Sequence, residues 1–311
     1  MIDPLLRNAI IFANLLTLMS VGLTLTYMTT KVPNFAHGTL VTVGVYVAMT
    51  AGQIFDLTPY YALPFAFIIG GCTATLIYLL VLRPQMNRGA SMVALMVATL
   101  AIDVFFIGVL NIYADSIQRV FKVVTRYFIL RRFDFTFADQ PGILFILPTI
   151  VVCSVVLLYI LLTHTKFGVA MRAVVEDASL AGVLGINVNK VYVVSWFIAG
   201  GLAALAGCLL PLWLQGSTDT GTRMIVSIFS ASILGGLLNI YGAILGGLIV
   251  GLVEVLGTNL LAQIVGVWFI PYRPALPLAI MVLMLLIAPT GLAGLTTLSV
   301  KGVGRRRKRW V

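Results

Sequence analysis

Charge is what this sequence has least of. Only 10% of its 311 residues are Asp, Glu, Lys or Arg, while 60% are hydrophobic; a soluble domain carries roughly 25% charged residues. No water-soluble surface can be built from so few charges, which excludes a soluble protein and leaves a polytopic membrane protein. The formal net charge is +10, but six of the 20 basic residues (Lys301, Arg305, Arg306, Arg307, Lys308 and Arg309) lie in the last eleven positions. The rest of the chain carries 14 basic and 10 acidic groups, too balanced for a nucleic-acid-binding face. Cysteine is scarce as well. Cys72, Cys153 and Cys208 sit in separate apolar runs with no Cys-x-x-Cys spacing, and read as small packing residues rather than metal ligands. No Gly-x-x-x-x-Gly-Lys-[Ser/Thr] loop is present to cradle nucleotide phosphates. Nor do a nucleophile, a base and an orienting group recur at recognisable spacing, so the chain does not read as an enzyme. The first apolar run, 9–28, has no strongly basic leader and no small-residue cleavage site before a polar domain, and reads as a retained span.

A bilayer core about 30 Å thick needs about 20 apolar residues per helix. Cutting the apolar runs at their polar punctuation gives full spans at 9–29, 39–55, 61–82, 92–112, 143–163, 191–214 and 275–297. The stretch 225–254 is too long for one ordinary span and carries Gly235, Gly236, Asn239, Gly242, Gly246 and Gly247. The basic tail 301–311 is assigned to the cytoplasm by the positive-inside bias. Counting spans back from it requires both ends of 225–254 to lie outside, which a re-entrant hairpin turning near Gly236 to Gly242 satisfies. The expected fold is therefore all-α, with about seven full transmembrane helices plus a re-entrant broken hairpin. The same count puts 113–142 outside although it carries Arg119, Lys122, Arg126, Arg131 and Arg132, against the usual bias.

Two breaks stand out. In Lys31-Val32-Pro33-Asn34-Phe35-Ala36-His37-Gly38, Pro33 lacks an N–H and disfavours helix at Val32, so the helix must break. Non-helical backbone at membrane depth is tolerated only where protein or a water-filled cavity satisfies it, which points to a pathway; a tight turn between two helices is the alternative. The second break, Gly235 to Gly242, pairs an Asn with a later Gly just as Asn34 precedes Gly38, a faint internal repeat. Interrupted helices in corresponding halves mark the central site of a transporter. Asn34, Phe35, His37, Gly38, Gly235, Gly236, Asn239 and Gly242 are accordingly candidate pathway residues. Gly242, Gly246, Gly247 and Gly251 also fit close helix packing.

A carboxylate facing lipid is expensive, so Asp103 and Glu254 must face protein. Asp103 reads either as a polar anchor of the pathway or as a hydrogen bond that locks helices together; Glu254, nearer a boundary, reads as structural. His37 has no second His, Cys or carboxylate at ligand spacing and reads as a polar tether for the backbone.

The polar interval after the fifth span, Thr165 to Asn187, has small apolar residues Ala170, Ala173, Val174, Ala178 and Ala181 at helical spacing and stop signals at Gly182 and Gly185. This predicts a short amphipathic surface helix with a small, smooth face suited to a groove in a partner protein. A helix resting on lipid headgroups would favour bulky aromatics and Lys-rich flanks, which are scarce here.

Four motifs in order carry a resemblance over nearly the whole chain: Asn34-Phe35-Ala36-His37-Gly38; Gly168 to Asn187 with Met171-Arg172-Ala173, Asp177 and Gly185-Ile186-Asn187; Gly235-Gly236 through Gly242 with Gly246-Gly247; and Pro289-Thr290-Gly291-Leu292. The chain resembles the permease subunit of ATP-binding-cassette importers of the branched-chain amino acid type, a group that includes urea, ribose and nucleoside permeases. Ala288 and Ala293 replace residues usually charged or aromatic there. The resemblance implies that residues 1–300 form a transmembrane permease domain and that 165–186 couples it to cytoplasmic ATP-binding subunits through Gly168, Arg172, Ala173, Asp177, Ala178, Ala181, Gly182 and Gly185. It further implies a second related permease subunit, an extracytoplasmic substrate-binding protein, no cofactor on this chain, no nucleic acid, and a cell-membrane location with ATP hydrolysed by partners. Urea, short amides or nucleosides remain alternative substrates. A self-contained secondary transporter is a rival, disfavoured by the few ionisable residues in the spans.

Overall fold

The computed structural model describes residues 3–288 and 290–293; the tail 301–311 and Pro289 lie outside the described residues. The helices are α1 (Pro4–Thr30), α2 (His37–Gln53), α3 (Pro59–Ile77), which continues through a wider π turn (Tyr78–Leu82) into α4 (Arg83–Asn87), and α5 (Met92–Phe121). They continue with α6 (Ile143–His164), α7 (Lys166–Glu176), α8 (Ala178–Val183), α9 (Val188–Leu209), α10 (Thr220–Gly235), α11 (Ile240–Val265) and α12 (Ala275–Ile287). The strands among the described residues are a two-stranded hairpin, β1 (Thr136–Phe137) and β2 (Gln140–Pro141). Its turn residues Ala138 and Asp139 both have positive φ, 49° and 62°, the conformation that tight hairpins require.

Six helices are long and apolar enough to cross a membrane: α1, α3 with α4, α5, α6, α9 and α11. The chain is thus an all-α polytopic membrane protein. The expected span 39–55 appears two residues earlier as the 17-residue α2, and 275–297 as the 13-residue α12, with 294–297 outside the described residues. The stretch 225–254, expected as a re-entrant hairpin, falls on the 16-residue α10, a turn over 236–239 and the 26-residue α11, which runs on to Val265 and is itself long enough to cross. Gly236 has φ +105°, a conformation that costs glycine nothing and other residues strain, and this fixes the turn. The fourth expected span extends nine residues past 112, as a mixed stretch with Asp115, Ser116, Gln118 and Arg119 among its apolar residues continues the helix to Phe121. It stops at Lys122, which is left-handed with φ 54°.

The chain divides into two compact units, Leu25–Ile225 and the N-terminal residues up to Thr24 together with Val226 onward. In the first, α9 packs on α2 and α3 through its small residues. A Cβ on Gly44 or Gly207 would strike the backbone of Ala204 or Val41, and one on Gly70 would strike Gly200. Such contacts bring backbones together where lipid supplies no hydrophobic drive. Trp196, fully buried, stacks near Tyr78 with ring centroids 5.9 Å apart. Cys208 is buried as expected, but Cys72 and Cys153 are exposed, so they fill no core.

In the second unit, the glycine stripe of α11 serves packing. Gly246 abuts Ala231 of α10, while Gly247 and Gly251 abut Thr17 and Ala13 of α1. Ser20 donates to the Ala243 carbonyl at 3.1 Å, and Ser232 donates to the Ser20 carbonyl at 3.1 Å. Glu254, 4% exposed, pairs with Arg273 at 2.7 Å, and that guanidinium lies 4.2 Å above the Phe12 ring. The acid is structural, as its position suggested.

Candidate functional site

The first break runs from Lys31, left-handed at φ 57°, to Ala36. Lys31 N–H closes α1 on the Tyr27 carbonyl at 2.8 Å, and the chain then runs without helix to the first turn of α2. Phe35 N–H donates to Thr99 Oγ1 at 3.2 Å, and one turn further along α5 Asp103 accepts from Thr39 Oγ1 at 2.5 Å. At 1.5 Å per residue, Thr99 and Asp103 lie roughly 10 and 16 Å in from the start of α5. The break therefore meets α5 two to three turns inside that helix rather than at its end. Asn34 and His37 are fully buried. The Asn34 amide makes no hydrogen bond among the described residues through either its oxygen or its nitrogen, an arrangement that costs about 1–3 kcal/mol unless water or a ligand meets it.

A second non-helical segment leads into a helix whose first turn meets that of α2. Residues 213–219 lead into α10, where Ser217 N–H donates to Thr220 Oγ1 at 2.7 Å and Asp219 pairs with Arg223 at 2.7 Å. Gly221 N–H donates to Thr42 Oγ1 at 3.0 Å, and Thr222 Oγ1 donates to the other oxygen of Asp103 at 3.1 Å. Gly38 and Gly221 touch backbone to backbone, so that a Cβ on Gly38 would stand 2.7 Å from the Gly221 carbonyl oxygen. Two helix N-termini thus converge, and their partial positive charge is answered by the 6%-exposed carboxylate of Asp103. Asp103 thus ties three helices together beside the break, the second of its two readings.

Thr222 and the segment 213–219 were not singled out from sequence. Their signal was there, because Gly216-Ser217-Thr218-Asp219-Thr220-Gly221 is a cluster of turn and capping residues ahead of an apolar helix. Gly235, Gly236, Asn239 and Gly242 belong to the other unit. There Asn239 caps α11 by accepting from Gly242 N–H at 3.1 Å, and Gly235 packs on Gly242.

One turn beyond Thr39 along α2, a cleft of about 650 Å³ opens between α2, α3 and α5. Tyr46, Thr50, Tyr61, Phe65, Val109 and Tyr113 line it, and its polar edge is the Thr50–Tyr113 hydroxyl pair at 2.7 Å. The cleft is predominantly apolar and carries no charged residue.

The segment 165–186 folds as two helices rather than one. Thr165 caps α7 by accepting from Gly168 N–H at 3.3 Å. Asp177 ends α7 and caps α8 by accepting from Ser179 and Leu180 N–H at 2.8 and 3.0 Å. An Asp favours this cap over a helix interior, which is why the segment breaks there. Gly168 and Ala181 are buried, and Arg172 donates to the Leu162 carbonyl; these three shape the segment. Ala173 and Ala178 are half-buried, and Gly185, left-handed at φ +87°, ends α8. Gly182 and Gly185 are both exposed with nothing within 4 Å of an added Cβ, and of the two only Gly182 lies outside the left-handed region, so only it accepts a side chain without backbone strain. Around it stand Leu180, Val183 and Leu184, with Val183 86% exposed, so the outward face is more strongly apolar than its small residues suggested.

Comparison with known proteins agrees with this architecture. Residues 5–289 match the family described as branched-chain amino acid transport system, permease component. A probable branched-chain amino acid transport permease protein LivH of Methanocaldococcus jannaschii is 44% identical over 93% of this chain and 92% of its own length. The high-affinity branched-chain amino acid transport system permease protein LivH of Escherichia coli K12 is 25% identical over 92% and 94%. Among solved structures, PsaBC from Streptococcus pneumoniae in complex with Fab covers 93% of this chain and 94% of that one with a TM-score of 0.51 at 14% identity, a likeness of fold alone. The chain belongs to the branched-chain amino acid transport permease family.

Proposed function

We propose that this chain is the membrane-spanning permease subunit of an ATP-binding-cassette importer that moves branched-chain or related amino acids by alternating access. The observation that carries the proposal is the exposed apolar face of α8 beside a structurally engineered bend. Asp177 and Gly185 fix the helix ends, while Gly182 and Val183 are left open. Such a face fits a groove on a partner, and the partner is the cytoplasmic ATP-binding subunit that supplies the energy. Substrate reaches the chain from an extracytoplasmic binding protein. It passes the broken segments at Asn34 to Gly38 and Trp213 to Asp219, within a pathway shared with a second permease subunit. The C-terminus is cytoplasmic, on the same side as α7 and α8, and the complex sits in the cell membrane among its lipids. An aliphatic amino acid suits the uncharged cleft below Tyr46 and Tyr113.

Gly182→Trp tests this reading. Because the position is open, the variant folds and assembles with unchanged melting temperature, and substrate-stimulated ATPase of the reconstituted complex falls at least about tenfold, which corresponds to about 1.4 kcal/mol of docking energy. Stimulation equal to the parent chain's would contradict the docking assignment.

A further inference from the structure

The sequence places five cations in 113–142, at the end of the bundle where the positive-inside bias disfavours them. The structure gives that segment a defined shape. It leaves α5 at Lys122, pairs Phe128 with Gly216 through two backbone hydrogen bonds of 3.1 and 2.9 Å, and donates Leu130 N–H to the Pro211 carbonyl at 2.8 Å. Leu130 and Phe133 lie over Gly52, at the end of the mostly buried helix α2. The segment is therefore a cap over the interior of the first unit. It stands at one end of α6 with α7 and α8 at the other, separated by 22 residues, about 33 Å of helix.

The cap's acids are mostly engaged. Asp115 pairs with Arg126 at 3.0 Å, and Asp134 accepts from Tyr60 at 2.7 Å and from Ile143 N–H at 3.3 Å. Arg119, Lys122, Arg131 and Arg132 are exposed and make no ion pair among the described residues. The Arg131 guanidinium lies 4.6 Å above the Trp213 ring, and that of Arg132 lies 4.6 Å above the Phe133 ring. A guanidinium stacked by its face keeps its in-plane donors free for a carboxylate. Tyr127 and Ile129, both more than half exposed, add apolar contact between the charges.

We propose that this cap, centred on Arg131 and Arg132, is a docking surface for an acidic face of the soluble protein that delivers substrate. The inference rests on the proposed function, which puts α7 and α8 in the cytoplasm and so the cap outside. Anionic lipid headgroups are the competing occupant. They ring the perimeter of a bundle, whereas Arg131 and Arg132 stand between Leu130 and Phe133, the two residues that cover Gly52 at the end of the mostly buried α2. The stacked, hydrogen-bonded frame also holds the two guanidinia in fixed positions, which suits bidentate carboxylate pairing. Arg119 and Lys122, at the end of α5, add to the field that steers the encounter.

The assembled importer is reconstituted in nanodiscs of phosphatidylcholine alone, or with phosphatidylglycerol, and the affinity of its own substrate-binding protein is measured at low and high salt. Affinity falls with salt in both membranes, and Arg131→Glu with Arg132→Glu weakens it at least about tenfold. The paired Lys variant retains most of it, and basal ATPase and melting temperature are unchanged in both variants. Affinity indifferent to the Glu variant, or a loss that follows phosphatidylglycerol rather than the partner, would overturn the docking surface. A membrane-impermeant maleimide on Arg132→Cys, in a background without the native cysteines, separates the two readings. Labelling from outside with unchanged affinity sinks the cap alone, and labelling only from the cytoplasm sinks the orientation in the proposed function as well.

Discussion

Asp103 offers the sharpest quantitative test of the convergence at the first break. Its two oxygens accept from Thr39 at 2.5 Å and Thr222 at 3.1 Å, so one side chain holds the first turns of α2 and α10 against α5. Interhelical hydrogen bonds in membrane proteins average about 0.6 kcal/mol and reach about 1.7. The shorter bond belongs at the upper end of that range. Double-mutant cycles in mixed micelles, with unfolding by sodium dodecyl sulfate followed through tryptophan fluorescence, give the coupling directly. Asp103→Leu with Thr39→Val should show about 1.5 kcal/mol of coupling, and Asp103→Leu with Thr222→Val about 0.6. Uptake by the assembled importer falls in both single Thr variants, because α2 or α10 loses its tie to α5. If both cycles are additive to within about 0.3 kcal/mol, the carboxylate does not tie these helices and the account of the break is wrong.

Three further outcomes follow from the packing. Arg273→Ala leaves the 4%-exposed Glu254 without its cation and should destabilise by about 3 kcal/mol, the low end for a broken buried pair because the Arg273 side chain keeps 31% exposure; Glu254→Gln in the same chain recovers most of the loss, as read by micelle unfolding. Gly247→Leu drives a side chain into Thr17 and should cost about 1–3 kcal/mol, whereas Gly108→Leu enters open space and stays within about 0.5 kcal/mol. Ala181→Leu, at a position 1% exposed, should lower the melting temperature as well as coupling, in contrast to Gly182→Trp, which lowers coupling alone.

The all-α membrane class was legible from charge scarcity, and the break at 31–38 from Pro33, because both rest on local chemistry that no packing overrides. The turn after Gly235 was legible for the same reason. Span lengths were less so. Hydropathy placed the end of α5 at 112, nine residues short of Phe121, and does not distinguish a full crossing from the 13-residue α12. The division of 165–186 at Asp177 was written in a cap residue that the helical spacing of the alanines obscured. The partner of the first break was hardest to see. The Asn and Gly spacing favoured Gly235 to Gly242, but the contact of Gly38 with Gly221 is long-range and follows from backbone approach, which sequence periodicity does not encode.

The most direct measurement is uptake of radiolabelled leucine into proteoliposomes that hold this chain, its companion permease and its ATP-binding subunits, with the binding protein outside and ATP within. The account predicts accumulation that requires ATP and ceases when the ATP-binding subunits are omitted. Accumulation by the permease chains alone, driven by an ion gradient, would contradict it.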